Sequence, residues 1–98
     1  MFEVRQTQDF KAWLDGLRDK RAVEAIALRI LRLQSGLFGD AKFFSGIGEL
    51  RIHHGPGYRV YFVQRHKLVV VLLCAGDKGS QLRDIRKARE LADGLEEF

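Results

Sequence analysis

Apolar residues in the first third of the chain recur at helical spacing. One stripe falls at positions i, i+3, i+4 and i+7 and a second at i, i+3, i+7 and i+10, which is the pattern of a helix with one buried face. The first stripe contains Phe10, Trp13, Leu14 and Leu17, and the second contains Val23, Ile26, Ile30 and Leu33. Thr7 or Asp9 suits the start of the first helix, Asp19 suits the start of the second, and Gly36 ends it. The pattern therefore predicts an antiparallel helical hairpin, preceded by a short strand at residues 2–5.

The rest of the chain shows strand-like patterns followed by one more helix. Residues 49–54 and 58–64 alternate around a Gly-Pro-Gly turn, and the apolar run at 68–75 predicts a strand covered on both faces. Ser80 suits the start of the last helix. The predicted buried stripe of that helix is Leu82, Ile85, Ala88, Ala92 and Leu95. The order β-α-α-β-β-β-α over residues 1–98 predicts a single α+β domain, with an antiparallel sheet packed against the helical hairpin and the last helix.

A glycine-rich segment separates the helical hairpin from the first long strand. Residues 36–48 contain four glycines and are predicted to form a loop. Phe38, Phe43 and Phe44 lie within it, and we expect these rings to pack the loop onto the core. Stacking of the rings on the bases of an RNA partner is the alternative.

The strands at 49–54 and 58–64 place polar side chains together on one face of the sheet. A three-residue turn between them would pair His53 with Arg59 and Arg51 with Tyr61. The apolar residues of both strands would then share the opposite face. The pattern therefore predicts two guanidiniums, one imidazole and one phenol on a single sheet face.

Such a set of side chains suits RNA cleavage without a metal ion. Two arginines can bind a phosphate and stabilise the charge of its transition state, while His and Tyr can transfer protons. A two-metal nuclease instead needs clustered carboxylates, and residues 41–76 hold one acid, Glu49. The neighbouring His53 and His54 point to opposite faces of a strand, so we expect neither a metal site nor a cofactor. Lys78 follows the apolar strand and precedes a helix, which suits a phosphate, although a solvated loop lysine is the alternative.

Charge and composition narrow the class of protein. The 98 residues carry a net charge of +4, and residues 41–70 hold five Lys or Arg against one acid, which implies a local anionic partner or a solvated basic face. The single Cys74 excludes an internal disulfide and is expected to be a buried apolar residue. The longest apolar run is too short to span a membrane, and the first residues do not form a signal peptide. These features predict a cytoplasmic protein that does not act at a membrane.

Two segments of the chain resemble a known family. The run ELRIHHGPGYRVYF, followed by LVVVLLCAGDKGSQ, resembles the RelE/ParE superfamily of type II toxin–antitoxin toxins, and most closely the HigB-like addiction module killer proteins. The resemblance covers nearly the whole chain. It implies a small microbial-RNase-type fold and a toxin that enters the ribosome and cleaves mRNA. It also implies an antitoxin encoded by the adjacent gene, usually a helix-turn-helix DNA-binding protein.

The resemblance also implies site residues. Arg51 and His53 match paired basic positions on one strand, Arg59 matches the arginine of the next strand, and Lys78 matches a basic residue after the central strand. RelE has a further Tyr or His near its C-terminus, whereas no Tyr or His follows Lys78 here. Tyr61 and His53 are the two candidates for proton transfer. A ParE-like inhibitor of DNA gyrase, or an antitoxin-binding module without catalysis, is the alternative function.

Overall fold

The computed structural model describes residues 1–44 and 46–95, which form one mixed five-stranded sheet with helices on both faces. The elements in chain order are β1 (Glu3–Gln6), α1 (Gln8–Asp15), α2 (Lys20–Gln34), β2 (Ala41–Phe44), β3 (Ile47–Ile52), β4 (Tyr58–Arg65), β5 (Val69–Asp77), a 3₁₀ turn (Lys78–Ser80) and α3 (Gln81–Asp93). The strands lie in the order β1-β5-β4-β3-β2. The α+β class predicted from the sequence is confirmed.

The sheet is not entirely antiparallel as predicted, because β1 pairs in parallel with β5. Thr7, which follows β1, fixes this arrangement. Its backbone N–H donates to Leu72 O and its hydroxyl donates to Leu73 O, so the start of α1 is held against β5. Since β1 and β5 are far apart in sequence, no tight turn forces them to run in opposite directions.

The predicted starts of the first two helices are confirmed. Thr7 Oγ1 accepts from Phe10 N at the start of α1, and Asp19 Oδ1 accepts from the N–H groups of Arg21 and Ala22 at the start of α2. These bonds satisfy N–H groups that have no partner within the helix. The two helices cover one face of the sheet. The buried side chains there include Phe10, Ile26, Leu33, Leu50, Val60, Val70 and Leu72.

The opposite face of the sheet is covered by α3. Val71, Leu73 and Cys74 of β5 pack there with Ala88 and Ala92. Since Val70, Leu72 and Ala75 of β5 lie in the cluster on the other face, the predicted strand covered on both sides is confirmed. Cys74 is 4% exposed, as expected of a buried apolar residue.

One residue of the buried stripe predicted for α3 is not buried. Leu82 is 81% exposed, whereas Asp84 lies on the buried face of the helix. The reason is Gly76 on β5, where a Cβ atom would lie 1.8 Å from Asp84 Oδ2. The missing side chain leaves room for the carboxylate, which accepts a hydrogen bond from the Ser80 hydroxyl.

Part of the predicted loop at 36–48 is a strand. Residues 41–44 form β2 at the edge of the sheet, and β3 already begins at Ile47. Arg29 of α2 fixes the segment before β2, because its guanidinium donates to the carbonyls of Phe38 and Asp40. The same guanidinium also donates to the carbonyl of Arg51 on β3. Phe38 stacks on Phe62 at 5.6 Å between ring centroids, so the packing expected of this ring is confirmed.

The other two rings of this segment differ in exposure. Phe44 packs against the cluster beneath α3, as expected. Phe43 is 57% exposed and contacts the Phe38 and Phe62 rings edge to face, so it is only partly packed.

The register of the β3–β4 hairpin also differs from the prediction. Five residues rather than three separate the strands, and Arg51 pairs with Arg59 instead of Tyr61. Gly55 and Gly57 have φ of 55° and 80°, which glycine adopts without steric cost, and Gly57 N donates to His54 O. The shift moves the strands by an even number of positions, so each residue keeps its predicted face.

The helices within residues 1–44 and 46–95 are too short or too polar to span a lipid bilayer.

Candidate functional site

Arg51 and Arg59 face each other across β3 and β4 and share one carboxylate. Glu49 Oε2 lies 3.1 Å from Arg51 Nε and 3.5 Å from Arg59 Nη1. Glu49 is completely buried, and its Oε1 accepts from Gln81 Nε2 of α3 at 2.9 Å. Like charges directly opposite each other destabilise a sheet. The shared carboxylate offsets that repulsion and fixes both guanidiniums in one place.

The two arginines line a surface pocket of about 350 Å³ at the turn end of the β3–β4 hairpin. We call it the basic pocket. Its charged or titratable lining residues are Arg51, His53, His54, Tyr58, Arg59 and Lys78, and Ile52 and the turn at 55–57 form the rest of its wall. Four of the five predicted site residues, Arg51, His53, Arg59 and Lys78, therefore line the same pocket. The carboxylate of Glu49 lies beneath the arginines, so the pocket presents its cations to solvent.

Tyr61, the fifth predicted residue, does not line the basic pocket. It is fully buried beneath α3, opposite Glu49 on β3. Its hydroxyl has no hydrogen-bond partner among the residues that the structure describes. Burial raises the pKa of the Tyr61 phenol well above its usual value, and the nearby carboxylates of Glu49 and Asp84 raise it further. A phenol in this position packs the core and does not exchange protons with a ligand in the pocket.

His53 and His54 each pair with a carboxylate from a different element. His53 Nε2 bonds Asp40, which precedes β2, and His54 Nε2 lies 3.0 Å from Asp19, the residue that caps α2. These hydrogen bonds lower the pKa of both aspartates. The turn that forms the wall of the basic pocket is thereby attached at two points. The His53 imidazole is 77% exposed, so a ligand in the pocket can reach it.

The two histidines do not combine with other ligands into a metal site. Within residues 1–44 and 46–95, no group of three or more His, Cys, Asp or Glu side chains is arranged to hold a metal ion.

Lys78 reaches the basic pocket from the 3₁₀ turn after β5. Asp77 shapes this turn because its Oδ1 accepts from the backbone N–H groups of Gly79 and Ser80. Lys78 itself is exposed. The turn therefore brings a cation from the far side of β4 to the same pocket as the two arginines.

Two residues that organise the site were missed by sequence reasoning. Glu49 is one of them, and its position two residues before Arg51, on the same face of the strand, is the signal that indicates its contact with that arginine. The contact of Gln81 with Glu49 joins residues 32 positions apart, and no local pattern indicates it.

Comparison with known proteins identifies a relative but no described family. No family model matches the chain. The chain is 47% identical over 94 residues to a Haemophilus influenzae protein whose name is "Uncharacterized protein", and the match covers 95% of each chain. The chain belongs to the same family as this Haemophilus influenzae protein.

Proposed function

We propose that the basic pocket binds a phosphodiester of mRNA and that the protein is the toxin of a type II toxin–antitoxin system. In this proposal it is a HigB-like member of the RelE/ParE superfamily with a RelE-like topology, and it cleaves mRNA on the ribosome without a metal ion. Its partners are the ribosome and an antitoxin encoded beside it. The observation that carries the proposal is that Arg51, Arg59, His53 and Lys78 line one pocket while Glu49 holds the two arginines together.

The arginine pair is suited to the charge of a phosphoryl transition state. In the proposed reaction the ribose 2′-oxygen forms a bond to the adjacent phosphorus, and the bond from phosphorus to the 5′-oxygen breaks. Negative charge builds on the non-bridging oxygens as this happens. Guanidinium N–H groups that are already oriented can stabilise that charge without reorganising. Lys78 adds a third cation to the lining of the pocket.

The reaction also moves two protons. The 2′-hydroxyl must lose a proton, and the leaving 5′-oxygen must gain one. His53 is the titratable side chain in the basic pocket that we assign to this transfer, because its exposed ring is oriented by Asp40. Tyr61 is excluded from the role by its complete burial.

Cleavage by Arg59 variants tests the proposal. Arg59 has the less exposed side chain of the two arginines, at 14% against 34% for Arg51, and it lines the pocket together with Lys78. We expect Arg59→Ala to reduce mRNA cleavage by about 10²–10³ fold, as for the loss of one preorganised charge, while ribosome binding persists. Arg59→Lys should recover part of the rate because it restores the charge but not the planar fork. The measurement is mapping of mRNA ends in a translation reaction.

Arg21→Ala is the matched control, since Arg21 is exposed on α2 at the other face of the sheet. It should cleave like the wild type. Normal cleavage by Arg59→Ala would refute the assignment of the site. Inhibition of DNA gyrase without any mRNA cleavage would instead favour the ParE-like alternative.

A further inference from the structure

The exposed face of α3 carries arginines at a spacing of three residues. Arg83, Arg86 and Arg89 are exposed, while Ala88 and Ala92 on the other face are buried against the sheet. Helical residues three apart are neighbours on the surface, so these side chains form a row along the helix. The row, which we call the arginine stripe, is about 9 Å long at 1.5 Å per residue.

The arginine stripe begins next to the basic pocket. A second pocket of about 470 Å³ lies over the 3₁₀ turn and the first residues of α3. Lys78 lines both pockets, and Arg83 lines the second. The Arg83 side chain is 80% exposed and lies 3.8 Å from Asp84, too far for a hydrogen bond. A positively charged surface therefore continues from the basic pocket onto α3.

The stripe ends at a third pocket of about 440 Å³, where α3 meets β4. Arg89 of α3 and Arg65 of β4 both line it. Arg65 Nη2 donates to Ala92 O at 2.8 Å, so its guanidinium is held at this end of the helix. Asp93 also lines the third pocket, which leaves two cations against one anion there.

The chemistry along this path suits a sugar–phosphate backbone better than an acidic peptide. Arginine binds phosphate through two parallel N–H donors, and such contacts repeat along a strand of nucleic acid. Leu82 lines the second pocket together with Lys78 and Arg83, and it is 81% exposed. An exposed apolar side chain in a pocket that also holds two cations can contact a base or a ribose while the cations bind phosphates.

We infer that the arginine stripe binds the RNA strand on one side of the phosphate that occupies the basic pocket. This inference rests on the proposed function. The stripe does not take part in the chemistry; it sets the direction in which the strand leaves the pocket and adds affinity that does not depend on sequence.

RNA binding at two lengths tests the inference. The probes are 2′-O-methyl RNA strands of about 12 and about 3 nucleotides, which cannot be cleaved through the 2′-oxygen and which differ in whether they can reach past the basic pocket. Replacing Arg83, Arg86 and Arg89 together by Ala should weaken binding of the long strand. Three lost phosphate contacts lower the salt slope by about 2, so raising salt from about 50 to about 200 mM should weaken the wild type about 20-fold more than the variant. Binding of the short strand should be unchanged.

Three basic residues on the other face of the sheet provide a matched control. Replacing Lys11, Arg21 and Arg32 by Ala removes the same charge from the exposed sides of α1 and α2, and it should leave both affinities unchanged. Alanine favours helix, so neither triple variant should unfold a helix, and circular dichroism checks this.

An equal loss of affinity in the two triple variants, or an unchanged salt slope in the stripe variant, would overturn the inference. So would competition by polyglutamate as effective as that by RNA, since the site would then be a general anion surface. If the wild type cleaves mRNA but the stripe variant binds the long strand as tightly as the wild type does, this inference alone is refuted. Stripe-dependent binding without any cleavage would refute the nuclease proposal alone.

Discussion

Glu49 brings two positively charged side chains together on neighbouring strands. It is fully buried and accepts from both Arg51 and Arg59. Glu49→Gln keeps the shape of the side chain but leaves the guanidiniums facing each other without a counter-charge. We expect a loss of about 2–3 kcal/mol in the free energy of unfolding, less than the roughly 3–5 kcal/mol for a fully buried pair, because Arg51 is one-third exposed. Urea denaturation measures it.

The matched substitution for comparison is Glu3→Gln, which breaks a surface ion pair with Arg5. The side chains of Glu3 and Arg5 are 56% and 40% exposed, so this change should cost less than about 1 kcal/mol. If the two substitutions cost the same, Glu49 does not organise the arginine pair.

Cys74 should be inert in the folded protein. Its side chain packs between β5 and α3, and burial raises the pKa of the thiol to about 12 from an ordinary value near 9. At pH 8 this lowers the reactive thiolate fraction about a thousandfold. We expect a coloured disulfide reagent to react at least a thousandfold more slowly with the native protein than with protein in guanidinium. Fast reaction under native conditions would show that α3 does not stay packed on β5.

The residues of the basic pocket were predictable because strand alternation fixes which face a side chain occupies. Arg51 and Arg59 keep that face although the register shifted. Tyr61 lies on the same face, but the prediction that it belongs to the site is wrong. Helix α3 covers the part of the sheet that holds Tyr61 and leaves the turn end of the β3–β4 hairpin uncovered. Arg65 shows the same limit. It pairs with Val69 of β5 and its guanidinium donates to Ala92 O of α3, a contact that no local pattern indicates. Periodicity predicts the face of a residue but not what covers it.

At the scale of elements, Gly76 decides how closely α3 approaches β5. A Cβ atom there would lie 1.8 Å from Asp84 Oδ2 and 2.6 Å from Ser80 Oγ. Gly76→Ala should therefore destabilise the protein by about 1–3 kcal/mol, the usual cost of overpacking a core. Adding Asp84→Ala removes the clashing carboxylate, so the double variant should lose less than the sum of the two single variants. Thermal unfolding of the four proteins measures this coupling.

Gly16→Ala provides the comparison at a helix end. Gly16 has φ of −85°, and its Cβ would come no closer than 3.4 Å to Ala12 O. The substitution should change the free energy of unfolding by no more than about 0.5 kcal/mol. Strictly additive losses for Gly76→Ala and Asp84→Ala would contradict the proposed contact between β5 and α3.

Elements with a strong local pattern were predicted correctly, and those fixed by distant contacts were not. The helix starts at Thr7 and Asp19 and the doubly covered β5 follow from residues close together in sequence. Strand β2 depends on the bonds that Arg29 makes to the segment before it and on the Phe38–Phe62 stack. The parallel pairing of β1 with β5 likewise joins residues 66 positions apart. No window of the sequence contains these partners together.

At the scale of the whole molecule, the helices on both faces of the sheet contribute hydrogen bonds that fix the basic pocket. Asp19 of the α2 layer binds His54 in the pocket wall, and Gln81 of α3 binds Glu49 beneath the arginines. The strands between these layers carry Arg51 and Arg59. Attachment from both sides gives the fixed donor geometry on which electrostatic stabilisation of a transition state depends.

The source of the positive charge in the basic pocket leads to a prediction about metal ions. The cations there are side chains, and the Glu49 carboxylate is buried and bonded to Arg51, Arg59 and Gln81. We therefore expect mRNA cleavage to continue when EDTA removes divalent ions from a ribosome–mRNA complex that polyamines keep assembled. A metal-dependent nuclease added to a parallel sample should stop, which shows that chelation is complete. Loss of cleavage while sedimentation shows an intact complex would mean that a divalent ion, and not the guanidinium pair, carries the transition-state charge.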